Sequence, residues 1–275
     1  MKTAFKILPA EIPSRSQQLM IEIGWEGVSF VYFSPAPFQV NGLSVYQFDK
    51  NITAIDLAEE LFAFLQVEQL PAFEKAHVCY NFRECLLVPS PLFKENLLAE
   101  MLNLVYPVNN RATNFSEPVD DMNLVIAYRV DNRVESVLQK QFPVSEAHHS
   151  LALQLRSLKA DGDILYCNIY QHSIRVVLFK EHELQIAQFY DYSTPTDVAY
   201  HLLNLCSQHG VAPAEVTLML SGFIDKKSNL YDELFRYFMN IKLSEKNSQN
   251  EIAQAITQYP EHFFSHIITL AQCVS

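Results

Sequence analysis

The sequence predicts an α/β protein made of two tandem copies of one unit, and three observations predict it. Residues 43–65 recur as residues 184–206 when 141 is added to their numbers, matching Leu43 with Leu184, Gln47 with Gln188, Phe48 with Phe189, Thr53 with Thr194 and Leu61 with Leu202. Both copies pass from alternating apolar residues into a Thr-x-x-Asp helix start, with Asp56 in the first and Asp197 in the second. A further set of matches lies upstream at an offset of 146, where Leu19, Ile21, Ile23, Val28 and Phe33 fall on Leu165, Cys167, Ile169, Ile174 and Phe179. Such repetition is what one supersecondary unit used twice leaves in a sequence.

Each predicted element has a local cause. Period-2 alternation through Leu43, Val45 and Gln47, and through Leu184, Ile186 and Gln188, reads as a strand. The hydroxyls of Thr53 and Thr194 can accept a first-turn N–H while the aspartate three residues on reaches back, which starts a helix. Pro195 suits the first helical position, where its missing N–H costs nothing. Leu57, Leu61, Phe64 and Leu65 then share one helical face, as do Val198, Leu202, Leu205 and Cys206. The offset falls from 146 to 141 between the second and third strands, so the first copy should hold five extra residues, placed here in the Pro-rich connection 35–42.

Beyond the first capped helix, residues 77–82 and 85–88 read as strands, 94–105 as a helix and 122–130 as the fifth strand of the first copy. Helices are expected over 131–141 and 145–158, and the stretch 159–163 around Gly162 is the expected boundary. The second copy repeats the order, with strands at 164–170, 173–180, 184–190 and 215–221, helices at 195–208 and 229–239, and a short strand at 241–243. Closing helices are expected near 250–258 and 260–272. The domains are therefore 1–160 and 161–275, and 275 residues with 49% hydrophobic content suffice for two cores.

Composition narrows the function. A net charge of −11, with 20 scattered lysines and arginines, argues against a nucleic-acid partner, which would need a basic stripe. No apolar run is long enough for a membrane-spanning helix, and Lys6 and Pro9 break the apolar stretch a secretory leader would need. Five cysteines, an odd number set mostly in apolar segments, fit buried reduced thiols and a cytoplasmic location.

Three antiparallel strands, a helix, a strand, a helix, a strand and closing helices resemble the ribonuclease H-like unit. Two such units in tandem resemble the actin-like ATPase fold of actin, hexokinase, the Hsp70 chaperones and bacterial FtsA and PilM. The size, the capped repeats and the ending from Tyr259 to Ala271 resemble an uncharacterised bacterial family of that fold. That resemblance implies a nucleotide site in which the first hairpin of each copy carries an acidic residue and a glycine, because glycine lets backbone N–H groups reach phosphate oxygens.

On that pattern the candidate nucleotide residues are Glu22, Gly24, Asn168, Ser221 and Gly222. Glu22 and Gly24 keep the acid and the glycine, but Trp25 and Glu26 add bulk and negative charge at the turn. The second hairpin departs further, with Asn168 for the acid and Tyr170 for the glycine. The adenosine-side glycine pair is reduced to Gly222 by Phe223, and six glycines in the whole chain leave no other phosphate loop. The expected function is therefore a non-catalytic protein without a nucleotide cofactor, acting through a protein or peptide partner. An ATPase or small-molecule kinase using the same five residues is the alternative.

No metal site is expected. His148 and His149 read as neighbours on a polar helix face, and His262 with His266 supplies only two ligands at i, i+4. A nuclease would need several acidic residues around the first strand to hold two metals, which Glu22 and Asn168 do not supply. Phe62, Phe64 and Phe73, and likewise Phe235, Tyr237 and Phe238, are expected in the core. Trp25, between two glycines at a turn, is expected at a cleft or an interface.

Overall fold

A computed structural model describes residues 1–8, 16–49, 52–159, 162–245 and 251–275. In chain order its elements are β1 (Lys2–Ile7), β2 (Gln18–Gly24), β3 (Gly27–Pro35), β4 (Phe38–Gln47), α1 (Ala54–Val67), β5 (Lys75–Asn81), β6 (Cys85–Pro89), α2 (Leu98–Asn103), β7 (Ala112–Val119), β8 (Leu124–Asp131) and α3 (Asn132–Gln141). These are followed by β9 (Glu146–His149), α4 (Ser150–Ser157), β10 (Ile164–Ile169), β11 (Ser173–Lys180), β12 (Glu183–Asp191) and α5 (Pro195–Gln208). The last are β13 (Thr217–Gly222), α6 (Asn229–Phe235), β14 (Asn240–Leu243), β15 (Glu251–Ile252) and α7 (Glu261–Cys273).

The chain forms two compact units. The first comprises Met1–Ser157, Gln249–Gln258 and Ile267–Ser275, and the second comprises Leu158–Ser248 and Tyr259–His266. The division after Ser157 adjoins the expected boundary, part of which lies outside the described residues. The C-terminal pieces of the first unit lie in the stretch that the sequence assigned to the second domain.

The first unit holds a sheet in the order β1-β4-β3-β2-β5-β9, and β15 pairs with β4. β2 runs antiparallel to β3 and parallel to β5, and all its residues after Gln18 are buried, as befits a strand covered on both faces. The second unit holds β12-β11-β10-β13-β14. Each β-β-β-α-β stretch therefore gives the same order, because a parallel partner for the first strand needs a crossover helix, supplied by α1 and by α5. Leu57, Ala58, Leu61 and Leu65 are the buried face of α1, and their counterparts at an offset of 141, Val198, Ala199, Leu202 and Cys206, are buried on α5.

The ladders correct where the five extra residues lie. Glu22 pairs with Ser29 and Asn168 with Arg175, an offset of 146. Val31 pairs with Leu43 and Val177 with Ala187, so β4 and β12 correspond at an offset of 144. Both hairpins have a register shift at the same rung, between Tyr32 and Phe33 and between Leu178 and Phe179. Two of the extra residues thus lengthen the first hairpin tip, and three lie between Gln47 and Thr53. The matches of Leu43, Gln47 and Phe48 to Leu184, Gln188 and Phe189 are not equivalent positions. Equivalent hydrogen bonds agree, from Phe48 N–H to Glu26 O and from Tyr192 N–H to His172 O.

Other differences arise from long-range pairing. Residues 122–130 do form most of β8, but β8 lies in a separate three-stranded sheet, β6-β8-β7, inserted between β5 and β9. The outer parallel strand is instead β9, where a helix from 145 was expected; α4 begins only at Ser150. β9 forms because the open edge of β5 pairs with it, although Glu146-Ala-His-His has no apolar alternation. β1 and β7 were not foreseen, and the segment expected as a helix near 250–258 is β15 followed by turns, with residue 250 outside the described set. Phe238 is fully buried, whereas Phe62, Phe235 and Tyr237 are exposed. Among the described residues no helix is long and apolar enough to cross a membrane. None of the five cysteines, all among the described residues, is in a disulfide, and only Cys273 is exposed.

Candidate functional site

In the first unit Glu22 and Gly24 lie two residues apart on β2, beside Cys79 and Asn81 of β5. Glu22 is buried, 5% exposed. A Cβ on Gly24 would stand 2.7 Å from the Asn81 carbonyl oxygen, so close approach of β5 is reason enough for a glycine here. At the tip, the Trp25 ring packs edge-on against Phe82 at 5.4 Å, and Glu26 faces the Arg83 guanidinium at 3.8 Å. Trp25 therefore packs half-buried against its own unit.

In the second unit β10 and β13 run parallel, which brings Asn168 beside Ser221 and Ile169 beside Gly222. The Ser221 hydroxyl donates to Asn168 Oδ1, while Asn168 Nδ2 has no hydrogen-bond partner among the described residues. Gly222 has φ +86° and its Cβ would lie 2.1 Å from the Ile169 carbonyl oxygen, so both conformation and contact demand glycine. The Phe223 N–H donates to that same oxygen at 2.9 Å.

The side chain at the centre of this second turn is one the sequence did not single out. Arg175, on β11 opposite Asn168, is fully buried, and its guanidinium lies 5.7 Å from the Tyr170 ring and 5.8 Å from the Phe189 ring. Tyr170 also meets the His266 ring edge-on at 5.4 Å. Burial, with a smaller contribution from the Arg175 charge, lowers the His266 pKa to about 3, so that ring is neutral. The repeat offset marked the position, since Arg175 replaces Ser29 at 146, but an isolated arginine in an apolar strand carries no motif.

Of the two histidines at i, i+4 on α7, His262 donates from Nε2 to the Ile224 carbonyl oxygen at 2.6 Å. The structure thus brings Asn168, Ser221 and Gly222 together at the ends of β10 and β13, and Glu22 and Gly24 together on β2. Separately, a cavity of about 460 Å³ opens between α1 and α3, lined by Ile55, Ala58, Glu59, Phe62, Arg133 and Val137 among others. None of the five sequence-predicted residues lines it.

A family model described as protein of unknown function (DUF3822) matches residues 11–241. The chain belongs to this family. Its fold has solved counterparts: a Bacteroides thetaiotaomicron protein with actin-like ATPase fold and unknown function is 17% identical with a TM-score of 0.72, covering 94% of this chain and 96% of that one. A chain of the PilM–PilN type IV pilus biogenesis complex is 12% identical with a TM-score of 0.59, covering 96% and 100%. The ethanolamine utilization protein EutJ from Carboxydothermus hydrogenoformans is 8% identical with a TM-score of 0.51, covering 97% and 92%. At these identities the likeness is one of fold, and this DUF3822 chain has the actin-like ATPase fold. A search of curated protein sequences finds no match.

Proposed function

We propose that this protein is a non-catalytic member of the actin-like fold, a cytoplasmic scaffold that binds a protein or peptide partner and no longer turns over a nucleotide. The observation that supports this most is the second hairpin turn. A working turn of the resembled kind presents a carboxylate to a metal and bare backbone N–H groups to phosphate. Here Asn168 is bonded to Ser221, and Tyr170 is wedged between His266 and Arg175. Gly24 and Gly222 have packing reasons of their own. The presence of a likeness within a PilM–PilN complex supports binding as a mode of action for such chains. The α1/α3 groove, with Ile55 and Phe62 exposed, offers a partner an apolar surface.

The test is magnesium ATP at millimolar concentration, read by thermal unfolding and phosphate release. No shift in Tm and no hydrolysis are expected. A ligand at a hundred times its Kd adds about 2.7 kcal/mol to stability, so even modest affinity would be visible. A magnesium-dependent shift that Ser221→Ala abolishes would overturn the reading in favour of an ATPase or kinase. Gly24→Val is unsuitable as a control, because its Cβ would clash with the Asn81 carbonyl whatever the ligand.

A further inference from the structure

β5 and β9 run parallel with His77 opposite Glu146 and Cys79 opposite His148. Glu146 and His148 alternate onto one face of β9, and one ligand atom from each of His77, Glu146 and His148 lies within 4.8 Å of the others. Neither histidine belongs to the candidate nucleotide turns. Both were out of reach of the sequence reading, which placed His148 on a helix.

The protons on the two rings are directed by acceptors behind them. His77 Nε2 is 3.0 Å from Gln18 Oε1, so it carries the N–H and leaves Nδ1 with a lone pair. His148 Nδ1 is 3.3 Å from Glu117 Oε1, which leaves Nε2 with the lone pair. Glu117 is itself fixed by the His149 N–H at 2.6 Å and by Arg156 Nη1 at 2.8 Å. His77 Nδ1 and His148 Nε2 are both buried without a hydrogen-bond partner among the described residues, and His77 is only 1% exposed. Each faces the same oxygen, Glu146 Oε2, at 3.4 Å and 4.0 Å. Lys75 Nζ holds the other carboxylate oxygen at 2.7 Å and so leaves Oε2 turned toward the rings.

Two ring lone pairs and a carboxylate oxygen converging in this way repel one another unless a cation lies among them. Neutral imidazole nitrogens and a carboxylate oxygen that converge on one point are donors to a metal ion. Ligands each about 2.1 Å from a tetrahedral zinc ion lie about 3.4 Å apart, and the two rings here stand 3.4 Å and 4.0 Å from Glu146 Oε2, so a small inward movement of His148 would complete the set. A histidine whose far nitrogen donates to a carboxylate, as His148 does to Glu117, is the usual outer arrangement of such sites.

We propose that His77, His148 and Glu146 form a binding site for a divalent transition cation, zinc foremost, with a fourth position open to water. Two imidazoles and one carboxylate are the ligand chemistry of zinc and of its first-row neighbours. The site lies wholly within the first unit and stands or falls independently of the nucleotide turns.

The experiment titrates the metal-free full chain with zinc chloride by calorimetry and thermal unfolding, and with cobalt(II) by visible absorption. One equivalent should bind, Tm should rise, and cobalt should show the bands of a tetrahedral site with nitrogen and oxygen ligands. His148→Ala and Glu146→Gln should each weaken zinc by at least tenfold. The circular dichroism and Tm of the metal-free variants check that they fold. Should His148→Ala not fold, Glu146→Gln, whose side chain is 54% exposed, carries the test. Absence of saturable binding by either ion, or unchanged zinc affinity in a folded variant, would overturn the proposal, the latter by placing the ion among the other histidines.

Discussion

The β2–β3–β4–α1–β5 stretch and the β10–β11–β12–α5–β13 stretch share one frame and differ at its polar end. Strand order, the rung of the register shift and the buried helix face agree. At the hairpin turn, Glu22, Gly24 and Ser29 in one become Asn168, Tyr170 and Arg175 in the other. The frame is held by apolar side chains in the middle of the strands, whereas the turn residues sit at strand ends beyond most of that packing. Fold and site are therefore written largely in different positions, with Gly24 and Gly222, which the backbone packing itself requires, as the exceptions.

The largest effect that would sharpen this comparison is at the glycines. Gly222→Ala combines a positive φ with a Cβ 2.1 Å from the Ile169 carbonyl oxygen, and should cost about 3 kcal/mol or more in urea unfolding. Gly24→Ala meets backbone at 2.7 Å without a positive φ and should cost about 1–2 kcal/mol. Equal losses would mean that the positive φ of Gly222 adds no cost of its own.

The helix starts come next. Thr53 and Thr194 each accept the N–H three residues on at 3.2 Å, but only α5 completes a capping box, with Asp197 accepting the Thr194 N–H at 2.8 Å. In α1 the Thr53 hydroxyl instead donates to Asp56 at 2.7 Å. Thr194→Ala should cost about 1–1.5 kcal/mol and Thr53→Ala about 0.5–1 kcal/mol. Midpoints in denaturant decide it, and the reverse order would show that the box adds nothing.

The smallest effect is in pH. The N–H groups of Ser193 and Thr194, with the Thr194 hydroxyl, hold the Asp197 pKa below its ordinary value. A lowered folded pKa gives stability that is present above the unfolded carboxylate value of about 4 and is lost as pH falls through the folded one. Asp197→Asn should therefore melt earlier than the parent at neutral pH, and the gap should close as pH drops below about 4. A gap that does not change with pH would remove the carboxylate from the cap.

What the sequence determined by itself was local. Alternation through residues 43–47 and 184–188, the two Thr-x-x-Asp starts and the apolar helix faces each depend on a backbone period or on a side chain reaching its own neighbours, so they could be read in place. The five extra residues were countable for the same reason, but their division between the hairpin tip and the β4–α1 connection depended on which rung takes the bulge. Only tertiary structure decided that Glu146-Ala-His-His is a strand, because nothing in it asks to be one until the edge of β5 pairs with it. Burial of Arg175 beneath Tyr170, and the meeting of His77 with Glu146 and His148, were decided in the same way. Each joins side chains that are well separated along the chain, and hydrogen bonding between strands sets that proximity while leaving no period in the sequence.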